Sequence, residues 1–442
     1  MKKNTLILAL AAILAGNTAF GASATAQGQP AAPQDKVTVP EDTVSLKKYI
    51  ARFLEEEREE NERTSELWEQ FSNLPNVEVG KGISFSPKNE SFKTTIRFRM
   101  QNLAALNFGK GMELSQTQAE VRRLRLRFDG YIFSPKFLYS IQLGFTGSDA
   151  KPTPNSRTNT ILDAIVYYKP NASWNFGFGQ TKLKLNRARL NSSGALQFVD
   201  RSIVNSEFGG DRDFGFYGEY HCGSTDRFAL AALASVTLGE GRNWGTSGKG
   251  FNYSGRIELF PMGKFHAKGE YIEGDTYYES TPKLMIGAGY SFNDDAHLTG
   301  GVKGSVLPDS RARDIHSVYA DMIFKYRGFA FNADYMSRET SDPAGFSGGK
   351  YIYTGAGVNA QASYLFARKW EVALRNSTMY PDRQVRSLAG YTWWNQSTLG
   401  ITRYIIGHSL KVQMDLSYNA MKHPLTNDYD RFAVRFQIEL GL

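Results

Sequence analysis

Between Val121 and Phe145 the chain alternates polar and apolar positions with a period of two, in two successive runs. Arg123, Arg125 and Arg127 fall on one face of the first run, and Leu124, Leu126, Phe128 and Ile132 on the other. Successive side chains of a strand point oppositely, so the pattern predicts a strand whose two faces meet different surroundings. After a turn at Ser134-Pro135-Lys136 a second strand follows. Tyr139, Ile141, Leu143 and Phe145 share its apolar face, and Ser140, Gln142, Gly144 and Thr146 its polar one. In a soluble sandwich the apolar face would form a core and the arginines would meet bulk water. The rest of the chain instead fits a transmembrane β-barrel, apolar toward lipid and polar toward the lumen. A one-residue slip of register would then carry three arginines into lipid, at roughly 2–4 kcal/mol each near the midplane.

From about residue 93 such runs follow one another, separated alternately by short turns and longer polar loops. Short turns are predicted near Ser134-Pro135, Pro170-Asn171, Gly223-Ser224, Pro261-Met262, Asn293-Asp294, Arg327-Gly328, Arg368-Lys369 and Gly407-His408, and are placed in the periplasm. The long loops then face outward. Spans counted this way number eighteen, of which 296–306 is the weakest and reads equally as part of a folded loop. In the last strand Phe432, Val434, Phe436, Ile438 and Leu440 alternate with Arg431, Ala433, Arg435, Gln437 and Glu439, and this strand is expected to pair with the first. Aromatic residues, 13% of the chain, gather near strand ends at Tyr167-Tyr168, Tyr277-Tyr278 and Trp393-Trp394, where interfacial girdles would need them.

Met1-Lys2-Lys3, the apolar run from Leu6 to Ala15 and the small residues around Ala24 and Ala26 predict a signal peptide over 1–26, and hence export. A Gln/Ala/Pro-rich linker, 27–40, leads to an acidic amphipathic helix over 41–75, with the barrel over 85–442. Residues 41–72 hold five basic and ten acidic side chains. Leu46, Ile50, Phe53, Leu67 and Phe71 recur there at heptad-like spacing, interrupted by Glu57, Glu60 and Thr64. The segment reads either as a solvated periplasmic spacer or as a short coiled coil that holds an oligomer together.

The net charge of +8 hides an asymmetry, because 73–442 alone carries +11. Phasing each strand by its lipid face sends Arg97, Arg99, Arg123, Arg125 and Arg127 inward, together with Arg256 beside Glu258, Arg375 with Glu371, and Arg431 and Arg435 with Glu439. The long segment 181–212 adds Lys182, Lys184, Arg187, Arg189, Arg201 and Arg212. Its apolar residues Leu183, Leu185, Leu190, Leu196, Phe198 and Val199 predict that it folds into the lumen as a constriction. Some of these cations will be paired with acids across strands. Any excess forms an anion pathway, since rings of Arg and Lys replace an anion's hydration and raise its local concentration.

Other functions find less support. Cys222 is the only cysteine, so no internal disulfide can form, and the six histidines show no metal-site spacing. No cofactor is expected. His221, His266, His297, His316, His408 and His423 are scattered without an evident Ser or Asp partner, which argues against a hydrolase. No nucleic-acid recognition motif appears. A barrel acting as an adhesin or assembly partner through its long loops is the alternative.

The phrases VRRLRLRFDGYIFSPKFLYSIQLGF and GQTKLKLNRARLNSSGALQFVDRSIVNSEFGGDRDFGFYGEY, with KYRGFAFNADYMSR at 325–338, resemble the phosphate-selective porin O and P family over roughly 90–442. The resemblance implies a trimeric barrel of about sixteen strands in the bacterial outer membrane, passing phosphate or other small anions. The expected fold is thus all-β, a transmembrane antiparallel barrel of 16 (possibly 18) strands with a short N-terminal periplasmic helix. Its partners would be outer-membrane lipid, small anions such as phosphate, and two further copies of itself.

Overall fold

A computed structural model describes Arg52, Glu55, Arg58, Glu59 and residues 76–78, 80–87, 90–150, 159–243, 248–308, 312–424 and 429–442. The chain divides into two units, Met1–Ser72 and Asn73–Leu442. In the first, the four described residues are helical and exposed. The signal peptide, the linker and the rest of the expected helix lie outside the described residues.

The described residues of the second unit form one sheet of eighteen strands. Sixteen of them close on themselves: β3 (Phe92–Phe108), β4 (Leu114–Ile132), β5 (Ser134–Gly144), β6 (Ile161–Tyr168), β7 (Trp174–Lys182), β8 (Arg212–Cys222), β9 (Ala229–Thr237), β10 (Asn252–Phe260), β11 (Lys283–Ala296), β12 (Arg313–Tyr326), β13 (Phe329–Thr340), β14 (Gly355–Phe366), β15 (Trp370–Pro381), β16 (Trp393–Ile406), β17 (Leu410–Lys422) and β18 (Tyr429–Gly441). Neighbours in sequence pair antiparallel all the way round, and β18 closes on β3 from Phe432↔Phe108 to Gly441↔Arg99. Closure leaves no bare sheet edge, the condition for crossing lipid with strands. Because β3 runs on past the end of β18, β1 (Asn76–Glu78) and β2 (Gly82–Phe85) complete its overhanging edge, with Ile83 opposite Ile96.

The sixteen-strand count agrees with the family resemblance and corrects the count of eighteen spans. The turn expected at Asn293-Asp294 does not form. Both residues continue β11, which bulges between Asn293 and Ala296. The span 296–306 is a folded loop held by one bridge, Leu298↔Val306. Pro261-Met262 likewise opens a connection from 261 to 282 where a short turn was expected, and its length has a use described below.

The burial pattern is inside out. Phe216 and Leu374 on the outer face are 65% and 63% exposed, while the inward Lys411, Ser417 and Asn332 are fully buried. Such a surface is stable against hydrocarbon and not against water. At the end with the short turns, exposed Phe137, Tyr168, Trp174, Phe366 and Trp370 form an aromatic band. Of each adjacent aromatic pair on a strand only one member can face outward. Tyr167 packs inside beside Gly177, and Trp394 donates its indole N–H to the inward Asn419 at 3.0 Å.

Candidate anion pathway

The lumen is not an open pipe, because the segment 183–211 between β7 and β8 lies inside it. Leu183, Leu185, Leu196, Phe198 and Val199 are buried, and Ile203, Val204 and Phe208 of a short helix, Ile203–Phe208, pack with Tyr319, Met336 and Tyr353. A buried loop needs partners for its backbone. The polar inner wall supplies them. Lys411 donates to the Leu196 carbonyl at 2.7 Å, Gln413 to that of Gln197 at 2.9 Å, Arg375 to that of Asp200 at 2.7 Å, and Arg256 to that of Leu185 at 3.0 Å. Asp415 accepts from the Val199 N–H at 3.0 Å. Wall glycines make room: a Cβ at Gly289 would stand 2.3 Å from the Leu185 carbonyl oxygen, and one at Gly400 2.8 Å from the Phe198 ring.

The segment 261–282 enters from the opposite end. Lys325 holds the Gly269 and Ile272 carbonyls, each at 2.9 Å, and the Glu273 N–H reaches the Ala195 carbonyl at 2.9 Å. The two inserted segments thus meet under β10 to β18. Open volume remains on the side of β4 to β10, as an upper cavity of about 250 Å³ toward the long loops and a lower one of about 840 Å³ toward the short turns. Successive positions of one element line first the upper cavity and then the lower: Arg125 and Arg127, Lys182 and Lys184, Arg189 and Leu190.

The upper cavity is lined by Arg122, Arg123, Arg125, Lys182, Arg189, Arg201, Arg212 and Arg242, against Glu120, Asp149 and Asp211. Four of these cations are paired. Arg125 grips Asp149 through two bonds of 2.6 and 2.5 Å, Arg189 meets Asp211 at 2.6 Å, Arg212 meets Asp163 at 3.0 Å, and Arg122 contacts Asp200. The other four have no carboxylate partner among the described residues. Arg123 donates to the Gln101 side chain at 2.7 Å, and Arg242 to the Asp149 carbonyl at 2.9 Å. Lys182 donates to the carbonyls of Arg189, Leu190 and Asn191 at 2.8, 3.1 and 2.9 Å, and Arg201 to those of Ala188 and Asn191 at 3.1 and 2.8 Å. Burial, and after it the nearby charge of Arg189, push the Arg201 guanidinium down to about 9, with Glu273 and Asp211 opposing. Asp211 and Asp149 stay below the usual carboxylate range. Burial works against that, but the charges of Arg189 and Arg212 and the hydrogen bond from Arg189 outweigh it at Asp211, and at Asp149 the hydrogen bond and charge of Arg125 outweigh it together with the charges of Arg123 and Arg212.

Of the fifteen cations singled out in the sequence, Arg123, Arg125, Lys182, Arg189, Arg201 and Arg212 line the upper cavity, and Arg127 and Lys184 the lower. The other seven lie elsewhere. Arg97 contacts Asp129, which also forms an ion pair with Arg127 at 3.0 Å. Arg99 holds Ser192 and Ser193 at 2.7 and 2.8 Å. Arg187 faces Asp334 at 3.7 Å, Arg256 bridges Glu258 and Asp321 at 2.7 Å each, Arg375 covers the Phe198 ring at 4.4 Å, and Arg435 meets Asp415 at 2.6 Å. Arg431 is exposed near the start of β18, 5.1 Å over Tyr429. Arg122 and Arg242 line the upper cavity without having been singled out. Arg122 reaches it because β4 bulges there: Gln101 pairs with Arg123 and Asn102 with Val121, so two consecutive arginines turn inward. The doubled Arg122-Arg123 in an alternating run was the available signal.

The model of the family described as phosphate-selective porin O and P matches residues 92–437. The chain belongs to that family. Its members are channels and not enzymes, and the family and the barrel together place this porin in the bacterial outer membrane. Among solved structures, the anion-selective porin from Comamonas acidovorans is similar at 13% identity and TM-score 0.51, over 79% of this chain and 100% of that one. The outer membrane channel DcaP of Acinetobacter baumannii is similar at 13% identity and TM-score 0.50, over 82% of this chain and all of that one. At such identity the likeness is one of fold. No curated protein matches the chain.

Proposed function

We propose that this porin passes small anions by passive diffusion and prefers phosphate, working as a homotrimer exported by its N-terminal signal. The observation that carries the reading is the set of four upper-cavity cations, Arg123, Lys182, Arg201 and Arg242, whose partners are neutral oxygens. Neutral acceptors orient a cation without cancelling its charge. An anion 4 Å from one such group gains about 4 kcal/mol at an effective dielectric of about 20, which helps replace its lost hydration. Phosphate suits the mixture, because guanidinium forks give paired hydrogen bonds while the lysine acts as a compact charge.

The test is a planar-bilayer recording in a chloride gradient, repeated with phosphate added. A reversal potential on the anion side, with phosphate lowering the chloride current at concentrations where sulfate does not, is the expected result. A cation-selective or non-conducting barrel would overturn the reading.

A further inference from the structure

The lower cavity contains one acid that anion passage does not explain. Glu270 lies in the segment 261–282, where Ala267 and Lys268 adopt left-handed backbone at φ 47° and 59° just before it. It is 7% exposed, and its Oε2 has no hydrogen-bond partner. The other acids lining this cavity are engaged. Asp129 forms ion pairs with Arg97 and Arg127, Glu219 meets Lys184 at 3.2 Å, and Glu258 binds Arg256 and the Tyr271 hydroxyl at 2.7 Å each. Lys169, Lys264 and Lys268 line the same cavity and, among the described residues, pair with no carboxylate. A buried carboxylate without a partner is costly, and so is retained only where something compensates. This cavity therefore offers one unpaired anionic group with three unpaired cationic ones, in a volume sufficient for a small organic molecule.

We infer that the lower cavity binds small solutes that carry an ammonium group beside their anionic group, Glu270 taking the ammonium while the lysines take the anion. The inference rests on the anion-channel reading and narrows its solutes. Orthophosphate fills only the anionic half of such a site. An ammonium ion set against the Glu270 carboxylate from the cavity supplies the missing countercharge, and charge-assisted bonds of this kind are among the strongest. Burial, opposed by a hydrogen bond from its own backbone N–H and by Lys268 and Lys325, with Glu258 adding to it, pushes the Glu270 carboxyl up to about 7, so the site is charged above that pH and neutral below it.

The chloride current through the full-length protein is recorded at pH 8 while phosphoethanolamine or glycerol phosphate is added from the short-turn side. Phosphoethanolamine should block at about a tenfold lower concentration, the effect of one charge-assisted hydrogen bond. The difference should vanish at pH 6. In Glu270→Gln it should vanish at both pH values, with block by glycerol phosphate kept. Equal block by the two probes in the unaltered protein at pH 8 overturns the inference, as does a preference that survives at pH 6 or in the variant. The pH comparison decides the matter even if the variant does not insert. If orthophosphate blocks while the amine makes no difference, only this inference falls. If no phosphate compound blocks, the phosphate reading falls with it.

Discussion

Charge reversal at Arg123 and at Arg125, neighbours on one face of β4, should have opposite kinds of effect. Arg123 leans on a neutral amide, so Arg123→Glu should keep the barrel folded and lower the chloride-to-potassium permeability ratio, by up to about tenfold given the fields such clefts focus. Arg125 is locked to Asp149, and Arg125→Glu would set two carboxylates against each other. That variant should lose heat resistance in detergent gels before any change of selectivity can be read. Reversal potential and gel mobility together separate the two cases. If both variants only shift selectivity, Asp149 is not a structural anchor. That these arginines face inward was legible from alternation alone, but which of them is neutralised was not. Asp149 stands 24 positions from Arg125 and Gln101 stands 22 from Arg123, and no local pattern links either pair.

The inserted segment 183–211 decides what the barrel admits. Its apolar anchors announced that it would fold inward, since Leu185, Leu196, Phe198 and Val199 could not stay in water together at little cost. The seat was not announced. Gly289 and Gly400 look like ordinary strand glycines, yet both lie where the loop's backbone or ring touches the wall. Gly289→Val should push the Leu185 backbone away, at about 1–3 kcal/mol of overpacking, because a carbonyl 2.3 Å from the new Cβ cannot move without moving the loop. The expected result is a larger and noisier single-channel conductance with weaker anion preference. Unchanged conductance would mean that the loop does not set the constriction. At the same scale, deleting residues 41–72 should leave the barrel able to insert and conduct, with any effect confined to oligomer stability in native gels. Failure to insert would make that acidic piece part of the folding unit.

As a whole the molecule is a closed polar interior inside an apolar sleeve, and two bulk properties follow. Unboiled samples should run faster than boiled ones in mild detergent gels, because the sixteen-strand closure survives where tertiary packing of an ordinary domain would not. Equal mobility would count against closure. Anion preference should also weaken between about 0.1 and 1 M salt, as the Debye length falls from about 10 Å to about 3 Å, if the partly open upper cavity sets it. A preference insensitive to salt would move the selective step to a dry constriction. The sequence by itself determined the barrel and the phase of most strands, because a period-two pattern reports which environment each face meets, and lipid punishes every error of register. Only the tertiary structure decided the strand count, since a polar loop such as 296–306 can carry strand-like spacing without a neighbour to pair with. It alone separated the arginines that hold the loop, such as Arg256 and Arg375, from those left facing a cavity, such as Arg123 and Arg201. The physical reason is that periodicity is local along the chain, whereas the cancellation of charge depends on which acid arrives from across the barrel.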